Sequence, residues 1–125
     1  MTDFNAQGSH IIERRKHRRC VLPPGSLLSF SPVVSQPDNA AEHEGEATVL
    51  DLSQGGCRIG SEIDLALERP YSLIIQLPYY PNPVTVESAI ARWAGTQTFG
   101  VMFIAIQREQ EQYLEEFLEY LRDAA

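Results

Sequence analysis

Apolar and polar residues alternate along most of the chain, and the alternation predicts strands. Leu28 and Phe30 alternate with Ser29 and Ser31, a first strand over about 26–34. Glu46–Leu52 (EATVLDL) alternates and is β-branched, Gly55-Gly56 supplies a turn, and Cys57–Gly60 returns, which is a hairpin signature. Ser61–Pro70 accommodates a short turn with Leu65 and Leu67 facing inward. Tyr71, Leu73, Ile75 and Leu77 then share one face of a strand that Pro78–Pro83 (PYYPNP) ends. Val84–Trp93 and Thr98–Ile104 pair across Ala94-Gly95-Thr96-Gln97. The second of these puts Phe99, Val101 and Phe103 on one face and Met102 and Ile104 on the other, so it calls for cover on both sides.

The period changes at Gln107. Tyr113, Leu114, Phe117, Leu118 and Leu121 recur at three- and four-residue intervals, one stripe of a helix over Gln107–Asp123 that can provide the cover. Glu109 and Glu111 suit the positive end of its dipole and Arg122 the negative end. Its other side carries Glu115, Glu116 and Glu119, and core packing is favoured over partner binding for the helix as a whole. The expected architecture is an all-β core with a helix: about six antiparallel strands, closed or nearly closed into a small barrel, plus one C-terminal helix.

Segments without periodicity complete the organisation. Residues 1–12 read as a flexible tail and 13–125 as one domain, long enough to bury a core unaided. Pro23-Pro24-Gly25 fixes φ and then frees it, so the segment before it is a loop leading into the sheet. Gln36–Gly45 is polar and acidic, a long connection in which His43 is a solvated histidine. No apolar run approaches eighteen residues and the N-terminus is polar, so a soluble, cytoplasmic protein without membrane insertion is expected. Two cysteines without CxxC spacing and three scattered histidines argue against a metal site and for reduced thiols.

Charge changes the picture. Of ten Lys and Arg residues, five lie in Arg14-Arg15-Lys16-His17-Arg18-Arg19, which leaves five against seventeen carboxylates: a body of −12 beneath a total of −7. A nucleic acid would run off this patch into repulsion, whereas a compact diphosphate fits within one loop's reach. An arginine run by itself is as readily a solvated tail. A second motif, Asp51-Leu52-Ser53-Gln54-Gly55-Gly56, lies some thirty residues on and raises the odds of a site.

Together these residues resemble the PilZ domain, a bacterial receptor module for cyclic di-GMP, over nearly the whole chain from about Glu13. The family shows an Arg-x-x-x-Arg loop before the first strand and an Asp/Asn-x-Ser-x-x-Gly motif at a strand end. Here Arg15-Lys16-His17-Arg18-Arg19 and Asp51-Leu52-Ser53-Gln54-Gly55-Gly56 stand in that order. Ala91-Arg92-Trp93 and Phe99-Gly100-Val101-Met102-Phe103 also look like the family's last strand pair. Arg14 to Arg18 satisfies the first pattern too, but the register Arg15 and Arg19 is preferred. The resemblance implies a split-barrel type of six-stranded antiparallel β-barrel with a C-terminal helix.

The resemblance also implies ligand contacts from Arg14, Arg15, Arg19, Asp51, Ser53 and Gly56, and the chemistry suits them. A guanidinium forks onto guanine O6 and N7, binds a phosphate or stacks on a base. An ionised Asp51 accepts from guanine N1 and N2 hydrogens, Ser53 donates or accepts, and Gly56 clears space for close backbone approach. Arg18 and Arg58 either lend charge to the ligand or lie in solvent, and Trp93 either stacks on a base or belongs to the core. Arg14, the residue before the preferred motif, implies two stacked nucleotides per chain. Residues up to about 22 are expected to be mobile until the nucleotide draws them over the barrel. No nucleophile elbow, no GxxxxGK[ST] loop and no acidic metal-ligand constellation is present, so a receptor that is not an enzyme is expected. The expected output is a conformational change passed by a monomer to an unidentified downstream protein, in motility, biofilm or exopolysaccharide control. The alternative is an adaptor of the kind tied to pilus assembly, which does not bind the nucleotide.

Overall fold

The strands form because their apolar positions alternate, and the sheet closes because each edge finds a partner. The computed structural model describes residues 19–23, 25–33, 44–78 and 80–124. Its strands are β1 (Cys20–Val21), β2 (Leu27–Pro32), β3 (Gly45–Leu52), β4 (Gly56–Gly60), β5 (Pro70–Gln76), β6 (Val84–Ala94) and β7 (Thr98–Ala105), followed by one helix, α1 (Arg108–Ala124). The order β3-β2-β5-β6-β7-β4 returns to β3, so six antiparallel strands make a closed barrel. Closure leaves no edge among the six.

The seventh strand lies outside this ring. β1 pairs Cys20 with Leu52 and Val21 with Asp51 at the end of β3, beyond the stretch that β2 occupies. Leu22 follows into the core, and its N–H donates to Leu50 O at 3.2 Å. Residues 20–22, which lie within the segment expected to be mobile, are paired with β3 here. Gly25 has φ 92°, the left-handed turn that the Pro-Gly hinge requires.

The barrel interior contains the predicted faces: Leu28 and Phe30, then Tyr71, Leu73, Ile75 and Leu77, then Phe99 and Val101. Phe30 and Tyr71 meet edge to face at 5.6 Å, an arrangement that suits the ring quadrupoles. Leu65 is buried as expected, but Leu67 is 47% exposed. Leu67 bridges in parallel to Ala91 outside the ladder, which turns its side chain away from the core.

The helix differs from expectation in what it covers. Leu114, Phe117 and Leu118 join the core cluster, while Met102 and Ile104 on the outer face of β7 remain 37% and 53% exposed. The helix closes one barrel end instead. Gln107 donates to Glu87 at 2.8 Å and Gln110 accepts from the Thr85 N–H at 2.9 Å, both near the start of β6. Tyr80, from the β5–β6 connection, packs edge-on against Phe117 at 5.0 Å and Tyr113 at 5.3 Å. A closed barrel presents apolar side chains at its mouth, and one stripe of a helix buries more of itself there than on an outer wall.

Candidate functional site

Two of the sheet's β-bulges bring Asp51 and Trp93 to the outer wall. On β3, Ala47 and Val49 face the core, and strict alternation would turn Asp51 inward as well. The register shifts between Val49 and Asp51, with Val49 opposite Ile59, Asp51 opposite Arg58 and Leu52 opposite Cys57. Leu50 is the inserted residue, so Leu52 takes the core position and Asp51 faces out with Arg58. On β6 the same event falls at Arg92: Ala91 opposes Val101 in the core, and Trp93 opposes Gly100 on the outside. Arg92 projects at the bulge and pairs with Glu68 at 3.2 Å.

The consequence is one row across five strands on the outer wall: Val21, Asp51, Arg58, Gly100 and Trp93. A Cβ on Gly100 would lie 2.0 Å from Trp93 Nε1, so the indole lies across the bare glycine. Trp93 is 41% exposed and outside the core, which settles the alternative between core and surface left open by the sequence. Gly100 inside an apolar strand was the available signal for a close approach.

Asp51 is the centre of the row. Its side chain is 8% exposed, with Arg58 Nε 3.0 Å from Oδ2 and Arg19 NH1 3.8 Å from Oδ1. Oδ1 is buried and, among the described residues, has no hydrogen-bond partner. A buried charged oxygen without a donor is costly and calls for a partner. β1 delivers Arg19 to this position. Arg14, Arg15 and Arg18 lie outside the described residues.

The turn after Asp51 is closed by Ser53. Its backbone N–H donates to Gly56 O at 2.8 Å, its hydroxyl donates to the same oxygen at 3.2 Å, and it accepts from the Gly55 N–H at 3.2 Å. The hydroxyl proton is thus engaged, and the buried Ser53 oxygen keeps one further acceptor position. Gly56 opens β4, where a Cβ would lie 2.1 Å from Val101 O. The close approach that demands glycine there is made by β7. Gln54 in the same turn hydrogen-bonds Glu115 on α1, which ties the turn to the helix.

Behind the row lies Cys57, buried, with its thiol pushed up to about 12 by burial and then by the Asp51 charge, against a smaller opposing effect of Arg19. Cys20 and Cys57 flank Leu52 from opposite sides, two strand spacings or about 9.5 Å apart, beyond disulfide reach. Both are free thiols. Among the described residues no three His, Cys, Asp or Glu gather as a metal site, and no helix is long and apolar enough to cross a membrane. What the row offers chemically is an acceptor between two guanidiniums, with an exposed indole two strands beyond Arg58.

A closed antiparallel barrel capped by a helix, with an Asp-Arg pair and an exposed tryptophan on its outer wall, is the fold of a small β-barrel module. The chain belongs to the PilZ domain family, whose model matches residues 13–120. No curated protein matches it. Among solved structures it is similar to MrkH, described as a c-di-GMP-dependent transcription regulatory factor, with 14% identity, 90% of this chain covered and a TM-score of 0.66. The match spans about half of MrkH, 52% of its chain. It is also similar to the uncharacterized Legionella protein Lpg0364, with 15% identity, a TM-score of 0.55, and 86% of this chain and 97% of that one covered. At these identities the structural likeness concerns the fold.

Proposed function

We propose that this chain is a receptor for cyclic di-GMP. The observation that carries the reading is the Asp51 carboxylate, buried on the outer wall between Arg19 and Arg58, with no hydrogen bond to Oδ1 among the described residues. Guanine presents adjacent N1 and N2 hydrogens that such an oxygen accepts. Arg19, 58% exposed at the site's edge, is free to turn from a long 3.8 Å contact toward a phosphate or a guanine edge. Trp93 offers a plane for a base, and Ser53 and Gly56 hold the turn that sets Asp51 in place. Family membership and the nucleotide dependence in MrkH's description support the same ligand.

Arg14, Arg15 and Arg18 complete the site from the preceding segment. Two stacked nucleotides bind per chain, because Arg14 adds a fork and a stacking plane for the second. The domain binds without hydrolysing, as a monomer, and its output passes to a partner protein through a change of shape. Titration calorimetry with cyclic di-GMP, GTP and a short oligonucleotide tests the reading. Binding of cyclic di-GMP alone is expected, and Arg19→Ala should weaken it by about 1.5–3 kcal/mol, the scale of a charge-assisted contact. Equal affinity in Arg19→Ala and wild type, or tighter binding of the oligonucleotide, would overturn it.

A further inference from the structure

Arg58 stands next to the proposed nucleotide site without belonging to either family motif. It reaches Asp51 from the adjacent strand, opposite it in the β3–β4 register, and places Nε 3.0 Å from Oδ2. Arg19 NH1, at 3.8 Å from Oδ1, is too far for a hydrogen bond. The two carboxylate oxygens are therefore unequal: one is held close, and the other is buried and, among the described residues, has a long ion pair but no hydrogen bond. A carboxylate held at one oxygen from an adjacent strand has its orientation restrained before any ligand arrives. Arg58 owes this geometry to the bulge at Leu50, which turns Asp51 to the outer face that Arg58 shares.

Resting on the receptor reading above, we propose that Arg58 is a positioning residue that fixes the Asp51 carboxylate so that Oδ1 selects guanine over adenine. Guanine meets the fixed oxygen with N–H donors. Adenine brings the unprotonated N1, whose lone pair a fixed carboxylate repels and a mobile one evades by rotating. A guanidinium is suited to the task because its planar fork sets direction, whereas a lysine ammonium supplies charge without direction.

The test uses the full chain, with cyclic di-GMP and cyclic di-AMP titrated into wild type, Arg58→Lys, Arg58→Gln, Asp51→Asn and the double variant Asp51→Asn/Arg58→Gln. Arg58→Lys and Arg58→Gln should each lose tenfold or more in cyclic di-GMP affinity while cyclic di-AMP affinity holds or rises, so the selectivity ratio narrows at least tenfold. General loosening of the site would weaken both nucleotides together. The double variant should bind cyclic di-GMP no more weakly than Asp51→Asn alone, because Arg58 acts through Asp51. A wild-type ratio in Arg58→Lys, or additive losses in the double variant, would overturn the inference while leaving the receptor standing. Failure of wild type to bind cyclic di-GMP would remove the receptor reading and this inference with it.

Discussion

Gly56→Ala tests why the Asp-x-Ser-x-x-Gly motif ends in glycine. The new methyl would stand 2.1 Å from Val101 O, 3.1 Å from Val101 C and 3.2 Å from Met102 Cα, all backbone atoms of β7. Ordinary contact requires the strands to part by roughly 1 Å, and overpacking of this kind costs about 1–3 kcal/mol. Parting also strains the Phe103 N–H to Gly55 O bond of 2.9 Å and the Ser53 N–H to Gly56 O bond of 2.8 Å, each worth about 0.5–1.5 kcal/mol. A loss of about 3–4 kcal/mol is expected, and at about 4 °C per kcal/mol for a domain of this size the Tm should fall by about 12–16 °C. Calorimetric or fluorescence melting without nucleotide measures it. Gly100→Ala is the control, because the three atoms nearest its methyl all belong to the Trp93 side chain, which is part-exposed and can swing aside. Its Tm should fall by less than half as much. A Gly56→Ala protein that melts with wild type yet no longer binds cyclic di-GMP would refute this account and return the glycine to the ligand.

Three further outcomes are expected. Cys57 has its folded thiol raised from 9.0 to about 12, so the unfolded state loses this proton first as pH rises. Its contribution is intact below pH 9 and falls by about 1.4 kcal/mol per pH unit above that, toward pH 12. Melting curves of Cys57→Ala should show a correspondingly flatter decline than wild type, and parallel declines would count against the buried neutral thiol. Phe117→Ala empties a side chain that is 0% exposed at the barrel mouth and should cost about 3–5 kcal/mol by urea denaturation. A cost under 1 kcal/mol would contradict the capping role of α1. Arg14→Leu should reduce the calorimetric stoichiometry from two nucleotides to one with binding retained, and a wild-type value of one, unchanged in the variant, would refute the stacked pair.

The chain's own pattern determined the strands, the barrel's interior faces and the helix stripe. Leu28 with Phe30, the Tyr71–Leu77 face, and Leu114 with Phe117 and Leu118 are all buried as their periods require. This legibility has a simple cause, since each period reports a face that must leave water whatever its neighbours are. The ingredients of the site were equally visible as residue types: a carboxylate, a serine and a glycine at one strand end, with arginines before it. Their arrangement was not. Asp51 stands where alternation from Ala47 and Val49 points inward, Trp93 stands where alternation from Ala89 and Ala91 does, and bulges at Leu50 and Arg92 turn both outward into one row. A bulge belongs to two strands at once, so a single strand's pattern cannot record it. β1 spans two residues, too few to show a period, and exists because β3 runs past β2 and leaves Asp51 and Leu52 to pair. The helix stripe announced burial without an address. Whether it covered β7 or closed the barrel was decided by the apolar mouth that only the assembled strands create, and that choice leaves Met102 and Ile104 facing outward.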